Sequence, residues 1–158
     1  MNYEPGWSFD PAQIDAERMA AFDAPLYVIE PDEAPRLLGW SWEVHNDEPI
    51  FGEAGYVTDT GGPIRIRTWK SAPGGTREAI NAHLADLISN VGAGAESMTD
   101  ANDTTVLVNG TSVTASASTL GRFLFLSFTY EGLLITMAHP VASATPTLTT
   151  LVREPPAE

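Results

Sequence analysis

The chain has 158 residues, no cysteine, and 21 acidic against 8 basic side chains, which gives a formal net charge of −13. This length fits one globular domain, and the lack of cysteine excludes disulfides, thiolate metal sites and a cysteine nucleophile. Residues 1–60 hold 13 acidic and 2 basic side chains, so most of the negative charge lies in the first third. This charge argues against nucleic acid as a partner, because phosphate contacts need clustered lysine and arginine.

We expect a single domain over residues 1–158, with flexible ends at 1–6 and 153–158. The longest apolar stretches, 123–128 and 133–138, are much shorter than the ~18 residues of a membrane span. The first residues show no basic segment followed by an apolar one, so the sequence predicts no secretory signal. We therefore expect a cytoplasmic protein without a membrane partner, and the lack of cysteine is consistent with that compartment.

The first third of the chain predicts one helix and two strands. Asp10-Pro11-Ala12-Gln13 is a helix start, with Asp10 as the cap, and Pro25 ends that helix. A short strand follows over 26–30. Residues 38–44 alternate between apolar and polar side chains, which is typical of a half-buried strand.

The middle of the chain predicts a hairpin and a second helix. Strands near 54–59 and 64–69 are joined across Gly61-Gly62, a pair of residues typical of a hairpin turn. Over residues 77–91 the apolar side chains recur at helical spacing, which predicts the best-defined helix of the chain. A polar loop is expected at 95–103.

The last third predicts two hairpins. Asn109-Gly110 lies between two β-rich segments, and Glu131-Gly132 lies between 123–130 and 133–138. If Glu131-Gly132 forms the turn, the register pairs Phe128 with Ile135 and Leu126 with Met137 on one face of the sheet. The type of the short element at 146–152 stays open in the sequence, a terminal helix being one option.

These elements predict an α+β fold. Strands joined by tight turns are antiparallel, so we expect an antiparallel sheet built from hairpins and meanders, with two main helices packed on one face. The expected order is α, β-meander, α, β-meander, with the optional short C-terminal helix.

Two groups of residues are candidate sites. Arg65, Arg67 and Trp69 point the same way from their strand and suggest either an anion site or internal pairing with the acidic first third, which the charge distribution favours. Glu43 and His45 would share the polar face of the 38–44 strand, as acid–base chemistry requires, but an exposed polar face is the simpler interpretation.

The three histidines, of which His83 and His139 lie outside that strand, are too scattered to predict a metal site. His83 falls on the apolar side of the 77–91 helix, so we expect it to be packed and hydrogen-bonded. His139 is expected to be structural or exposed. No nucleophile elbow, phosphate-binding loop or zinc-protease motif is present in the sequence, and we predict no cofactor, no metal and no catalytic residue.

The sequence thus favours a non-enzymatic acidic module that binds a basic protein, of the adaptor, immunity-protein or secretion-chaperone type. The alternative is a small-ligand-binding or enzymatic domain with an anion site at Arg65, Arg67 and Trp69, where Glu43 or His45 would transfer protons. A structural subunit that assembles through its edge strands is a third hypothesis. Acidity of this kind also occurs in halophilic proteins, and the sequence does not fix the oligomeric state.

Overall fold

The computed structural model describes residues 24–30, 36–45, 48–58, 63–70, 80, 83–85, 102–142 and 144–150, and for 36–45, 48–49 and 120 it describes the backbone alone. Within these ranges the chain forms nine β-strands. They are β1 (Tyr27–Ile29), β2 (Arg36–His45), β3 (Glu48–Val57), β4 (Pro63–Trp69), β5 (Asn102–Val108), β6 (Thr111–Leu120), β7 (Phe123–Tyr130), β8 (Leu133–Pro140) and β9 (Leu148–Thr150).

All nine strands belong to one sheet, in the order β1-β9-β5-β6-β7-β8-β4-β3-β2. Two meanders, β2–β4 and β5–β8, are joined where β4 pairs with β8 in antiparallel fashion. The pairing of β5 with β9 is parallel and is limited to Val108 and Leu148. The sheet curves on itself until it nearly closes into a barrel-like form.

The predicted α+β class is wrong, because the described chain is nearly all strand. Helix is limited there to residues 80 and 83–85, which we call the helical segment. Several strands are longer than predicted; β3 already begins at Glu48 and β6 extends to Leu120. A sheet of this width can curve and bury its own inner face, a task that the prediction gave to two helices. The predicted helix that begins at Asp10 lies outside the described residues.

The optional C-terminal helix is also wrong, because residues 148–150 form β9. This strand pairs with β1 over Tyr27↔Thr150, Val28↔Thr149 and Ile29↔Leu148. Both partners are remote in sequence, and such non-local pairing overrides weak local preferences. The expected flexible ends at 1–6 and 153–158 lie outside the described residues, as does most of the predicted 95–103 loop, although residues 102–103 already belong to β5.

The predicted hairpins of the last third are confirmed. Asn109 and Gly110 have φ of 52° and 79°, and Glu131 and Gly132 have φ of 50° and 83°. Positive φ at both central residues defines the type I′ turn, whose twist matches that of the flanking strands. The predicted register is confirmed as well, with Phe128 opposite Ile135 and Leu126 opposite Met137.

The main core fills the inner face of the curved sheet. Ile66, Leu126, Ile135 and Met137 are fully buried there, because every second side chain of their strands points to this face. The short strands β1 and β9 add Tyr27, Val28, Ile29 and Leu148 to the same cluster, and Leu26, just before β1, belongs to it as well.

The outer face carries two smaller apolar groups of its own. Ile80 and Leu84 of the helical segment pack against Phe123, Phe125 and Ala138. A second apolar group on this face consists of Phe51, Trp69 and Leu134, with Ile50 packed against it. Buried polar side chains occupy the same face, and they form the candidate site. No helix in the described ranges is long and apolar enough to cross a membrane.

Candidate functional site

The sheet register brings a row of polar residues together on the outer face. Glu53 of β3 lies opposite Arg67 of β4, and Arg67 lies opposite Thr136 of β8. Residues that share a register position and a face have Cβ atoms about 4.5–5.5 Å apart in antiparallel pairs, so their side chains meet. His83 of the helical segment completes the group from above the sheet.

Glu53 is the anionic centre of this group, which we call the Glu53 cluster (Glu53, Arg65, Arg67, Trp69, His83 and Thr136). Its Oε1 accepts a hydrogen bond from Nε of Arg67 at 3.0 Å and lies 3.0 Å from the Nη2 atom of the same guanidinium. Its Oε2 accepts a bond of 3.3 Å from Nη1 of Arg65. One carboxylate therefore holds two arginines.

The His83 ring lies between the carboxylate of Glu53 and the hydroxyl of Thr136. Its Nε2 lies 3.3 Å from Oε1 of Glu53, and its Nδ1 lies 2.6 Å from Oγ1 of Thr136. The indole Nε1–H of Trp69 donates to the same Oγ1 at 3.1 Å. A neutral imidazole with its proton on Nε2 satisfies this series, since the Thr136 hydroxyl can then donate to Nδ1.

Aromatic rings enclose the cationic side of the cluster. The guanidinium carbon of Arg67 lies 3.8 Å from the ring centroid of Phe51 and 5.2 Å from that of Trp69. These distances fit cation–π contacts, which are stronger where water is excluded. Arg67 is 3% exposed, so the rings and Glu53 replace its hydration shell.

The pKa of Glu53 reflects both burial and pairing. Burial alone would raise the pKa of this carboxyl, but Arg67, His83 and Arg65 outweigh that effect and hold the pKa below its ordinary value of 4.5. Glu53 is therefore ionised throughout the physiological range. A carboxylate with so low a pKa is a poor general acid and a weak base, so its chemistry here is electrostatic.

The structure brings together three of the five predicted site residues. Arg65, Arg67 and Trp69 lie in the cluster, and Glu53 supplies the internal pairing with the acidic first third that the charge distribution favoured. On the backbone of β2, Glu43 is the register partner of Phe51, and His45 is the partner of Glu48. The side chains of Glu43 and His45 lie outside the described part of the chain.

The prediction for His83 is confirmed, since it is buried and contacts Thr136. Sequence reasoning did not identify Glu53 or Thr136 as members of the site. Both positions follow from the observed register, in which the pairing of Val57 with Pro63 also places Glu53 opposite Arg67, and β8 places Thr136 opposite Arg67. A charged residue midway along an otherwise apolar, glycine-containing strand requires such a partner when it is buried.

The other buried histidine, His139, belongs to a separate structural contact at the end of β8. Its Nδ1–H donates to the carbonyl of Pro140 at 2.8 Å, and its Nε2 accepts from the hydroxyl of Thr145 at 3.1 Å. Burial lowers the pKa of His139, against the opposing effect of the Pro140 carbonyl. Of its two expected alternatives, structural or exposed, the structure supports the structural one.

No group of three or more histidine, aspartate or glutamate side chains suited to a metal ion occurs within the described ranges. Comparisons with protein-family models, with curated proteins and with solved structures found no match to this chain.

Proposed function

We propose that this protein is a non-enzymatic, acidic protein-binding module of the adaptor, immunity-protein or secretion-chaperone type, and that its partner is a basic protein. One observation carries the proposal. The Glu53 cluster uses two of the 8 basic residues on one of the 21 carboxylates, which leaves 20 acidic against 6 basic residues, a net of −14, for the rest of the chain. The buried ion pairs thus increase the charge imbalance outside the cluster.

A net charge of this size has a defined physical effect on association. It raises the local concentration of a cationic partner and increases the rate at which productive encounters occur, and salt screens the effect. Charged rims contribute more to association rate and partner choice than to affinity. We place the interaction in the cytoplasm, which the lack of cysteine supports.

The test starts with affinity capture from a lysate of the native host at low and moderate salt. The basic protein that is recovered in stoichiometric amounts is then purified, and its association rate is measured against wild type and two charge-reversal variants. The test variant is Asp32→Lys with Glu33→Lys, in the acidic first third. The matched control is Asp103→Lys with Glu131→Lys, two exposed residues of the last third that give the same change in net charge.

The proposal expects the test variant to associate more slowly and with less salt dependence than the control variant. Equal rates for the two variants would contradict an interface in the first third. A partner that binds with no salt dependence, or the recovery of no basic protein, would contradict the proposal as a whole.

The alternative, a ligand-binding or enzymatic domain with an anion site at Arg65, Arg67 and Trp69, has weaker support. Arg67 is buried, paired with Glu53 and stacked on Phe51, so it already has an anion. The Arg65 side chain is 21% exposed and is the part of that trio an external anion would reach first. A saturable rise in melting temperature with sulfate, lost in Arg65→Gln, would support this alternative.

A further inference from the structure

Asn109 holds the short strand β9 against the rest of the sheet. Strand β9 lies between β1 and β5, and among the described residues β5 and β9 share a single register pair, Val108 with Leu148. Asn109 strengthens this junction from the next position, because its backbone N–H donates to the carbonyl of Leu148 at 2.9 Å. Its side chain adds the three bonds to Thr149 and Thr150, with lengths of 2.9, 3.0 and 3.0 Å.

The residue that follows Asn109 gives this side chain a second kind of chemistry. The chain has six asparagines, and only the last of them precedes a glycine: Asn2, Asn46, Asn81, Asn90, Asn102 and Asn109. Gly110 has no side chain to shield its backbone nitrogen, and a Cβ placed on it would have nothing within 4 Å. Asn109 itself is exposed. An exposed amide side chain beside an unshielded backbone nitrogen is suited to ring closure.

Ring closure and hydrolysis convert the asparagine without any other reactant than water. The backbone nitrogen of Gly110 attacks Cγ of Asn109, and the Cγ–Nδ2 bond breaks. Nδ2 leaves as ammonia and takes the proton of the attacking nitrogen. Water then opens the cyclic imide at either of its two carbonyls. One opening gives aspartate, and the other gives isoaspartate, in which the backbone runs through Cβ and Cγ.

The folded structure opposes the first step of this reaction. Cγ reaches the Gly110 nitrogen only if the side chain rotates, while Nδ2 and Oδ1 are held on β9 by Thr149 and Thr150. The reaction in turn destroys those bonds, because the Nδ2 donor is lost as ammonia. Isoaspartate also lengthens the backbone of a two-residue turn whose positive φ values, 52° and 79°, fit the twist of the strands beside it.

We propose that Asn109-Gly110 is a spontaneous modification site that β9 protects, and that its conversion to isoaspartate releases β9 from β5. Conversion is slow while β9 is in place, and it accelerates when β9 separates from the sheet. Because ammonia is lost, the release is permanent. The site thus converts a transient opening of the sheet into a lasting chemical change.

The experiment incubates the full chain in mildly alkaline buffer and follows every asparagine by peptide mapping, with a mass-spectrometric fragmentation that distinguishes isoaspartate from aspartate. Wild type, folded and denatured in guanidinium, is compared with the double variant Thr149→Val with Thr150→Val, which removes both hydroxyls that bond the Asn109 side chain. The matched control is Thr114→Val with Thr129→Val, the same change at two exposed positions outside β9. Hydrogen exchange of β7 amides, measured in parallel, distinguishes separation of β9 from global unfolding.

Conversion at Asn109 should be about tenfold faster in the double variant than in folded wild type or the control, because two lost bonds raise the population of the released side chain by roughly that factor. The denatured chain should convert fastest. Glu131-Gly132, a turn with similar φ values but no asparagine, should stay unmodified. Equal rates in the two variants, with β7 protected in both, would overturn protection by β9. A denatured chain in which Asn109 converts no faster than the other asparagines would overturn the modification site.

The structural consequence is tested on the isoaspartate form, which carries an added negative charge and is separated by ion exchange. The amide of Thr150, which donates to Oδ1 of Asn109 in the unmodified chain, should exchange faster in this form. The amide of residue 109, which donates to Leu148, should do the same. Exchange of both amides at the rates of the unmodified chain would overturn the release of β9.

Discussion

The hydroxyl of Tyr56 accepts the backbone N–H of Ile29 at 3.2 Å, and this bond connects the inner wall of β3 to the strand at the opposite end of the sheet. Tyr56 is 4% exposed, and burial raises its pKa to about 12, against the opposing effect of the Ile29 bond. The hydroxyl is therefore neutral at ordinary pH. It supplies the acceptor for the Ile29 N–H that a carbonyl of a neighbouring strand would otherwise supply.

We expect Tyr56→Phe to destabilise the protein by about 1–3 kcal/mol, because it leaves a buried backbone N–H without its acceptor. The measurement is urea unfolding combined with hydrogen exchange, in which the amide of Ile29 should exchange faster. Tyr130→Phe is the matched control, since it makes the same change in a ring that packs edge-on against Tyr27. Equal losses in the two variants would show that the hydroxyl of Tyr56 has no special role.

Glu53→Gln is expected to be among the most damaging single substitutions, at about 3–5 kcal/mol. The change leaves Arg67 buried beside a neutral amide, and an uncompensated buried charge is costly. Adding Arg67→Met to Glu53→Gln should restore part of the loss, because it removes that charge. Denaturant unfolding of both variants and of the exposed control Glu131→Gln tests this, and no recovery in the double variant would contradict it.

The low pKa of Glu53 also predicts acid sensitivity. A carboxylate whose folded pKa is below its unfolded value adds stability that is present above the unfolded value of 4.5 and is lost as the pH falls further. Stability should therefore fall on acidification below about pH 4.5, and Glu53→Gln should show a shallower fall. Unfolding free energies measured across this range give the two slopes, and parallel slopes would refute the assignment.

His139 predicts a second pH dependence, in a range closer to neutrality. Because burial lowers its folded pKa below 6.5, its contribution to stability is full above that pH and declines as the pH falls through it. Protonation would also remove the bond that Nε2 accepts from Thr145. His139→Gln should flatten the stability profile between about pH 7 and pH 5. A slope unchanged from wild type would contradict this prediction.

Asn109 and Glu131 offer a matched pair, because each is the first central residue of a type I′ turn with φ near 50°. Only the Asn109 side chain has described bonds to β9: Nδ2 donates to Thr150, while Oδ1 accepts from the backbone of Thr150 and from the hydroxyl of Thr149. Glycine tolerates this φ, so Glu131→Gly should change stability little. Asn109→Gly should lower the free energy of unfolding by about 1–2 kcal/mol more than Glu131→Gly does, as measured by thermal unfolding. Equal effects of the two substitutions would contradict a role for the Asn109 side chain in holding β9 in place.

Local signals predicted the hairpins well, because a two-residue turn fixes the register of the strands beside it. The register of Phe128 with Ile135 followed directly from Glu131-Gly132. The pairing of β1 with β9 and of β4 with β8 joins segments remote in sequence, and no local pattern encodes it. The closure of the sheet depends on those pairs, which is why the prediction gave the inner core to helices.

Only part of the candidate site could be predicted, because alternation along one strand is a local signal and the register between strands is not. Alternation placed Arg65, Arg67 and Trp69 on one face, and that arrangement is found. A two-residue turn at Gly61-Gly62, however, would have paired Glu53 with Lys70 instead of Arg67. In the observed register Val57 lies opposite Pro63, so the pairing is centred on residue 60. This register brings Glu53 and Arg67 together in the buried ion pair.

The pairing of β1 with β9 has a consequence for biosynthesis. The ribosome makes Tyr27, Val28 and Ile29 well before the residues 148–150 that will neighbour them. Within the β5–β8 meander each strand pairs with the next one along the chain, so this unit can form as soon as it emerges. During that interval the β1 segment is an unpaired apolar stretch of nascent chain. Its acidic flanks, Asp23 on one side and Glu30, Asp32 and Glu33 on the other, then act as gatekeepers against aggregation.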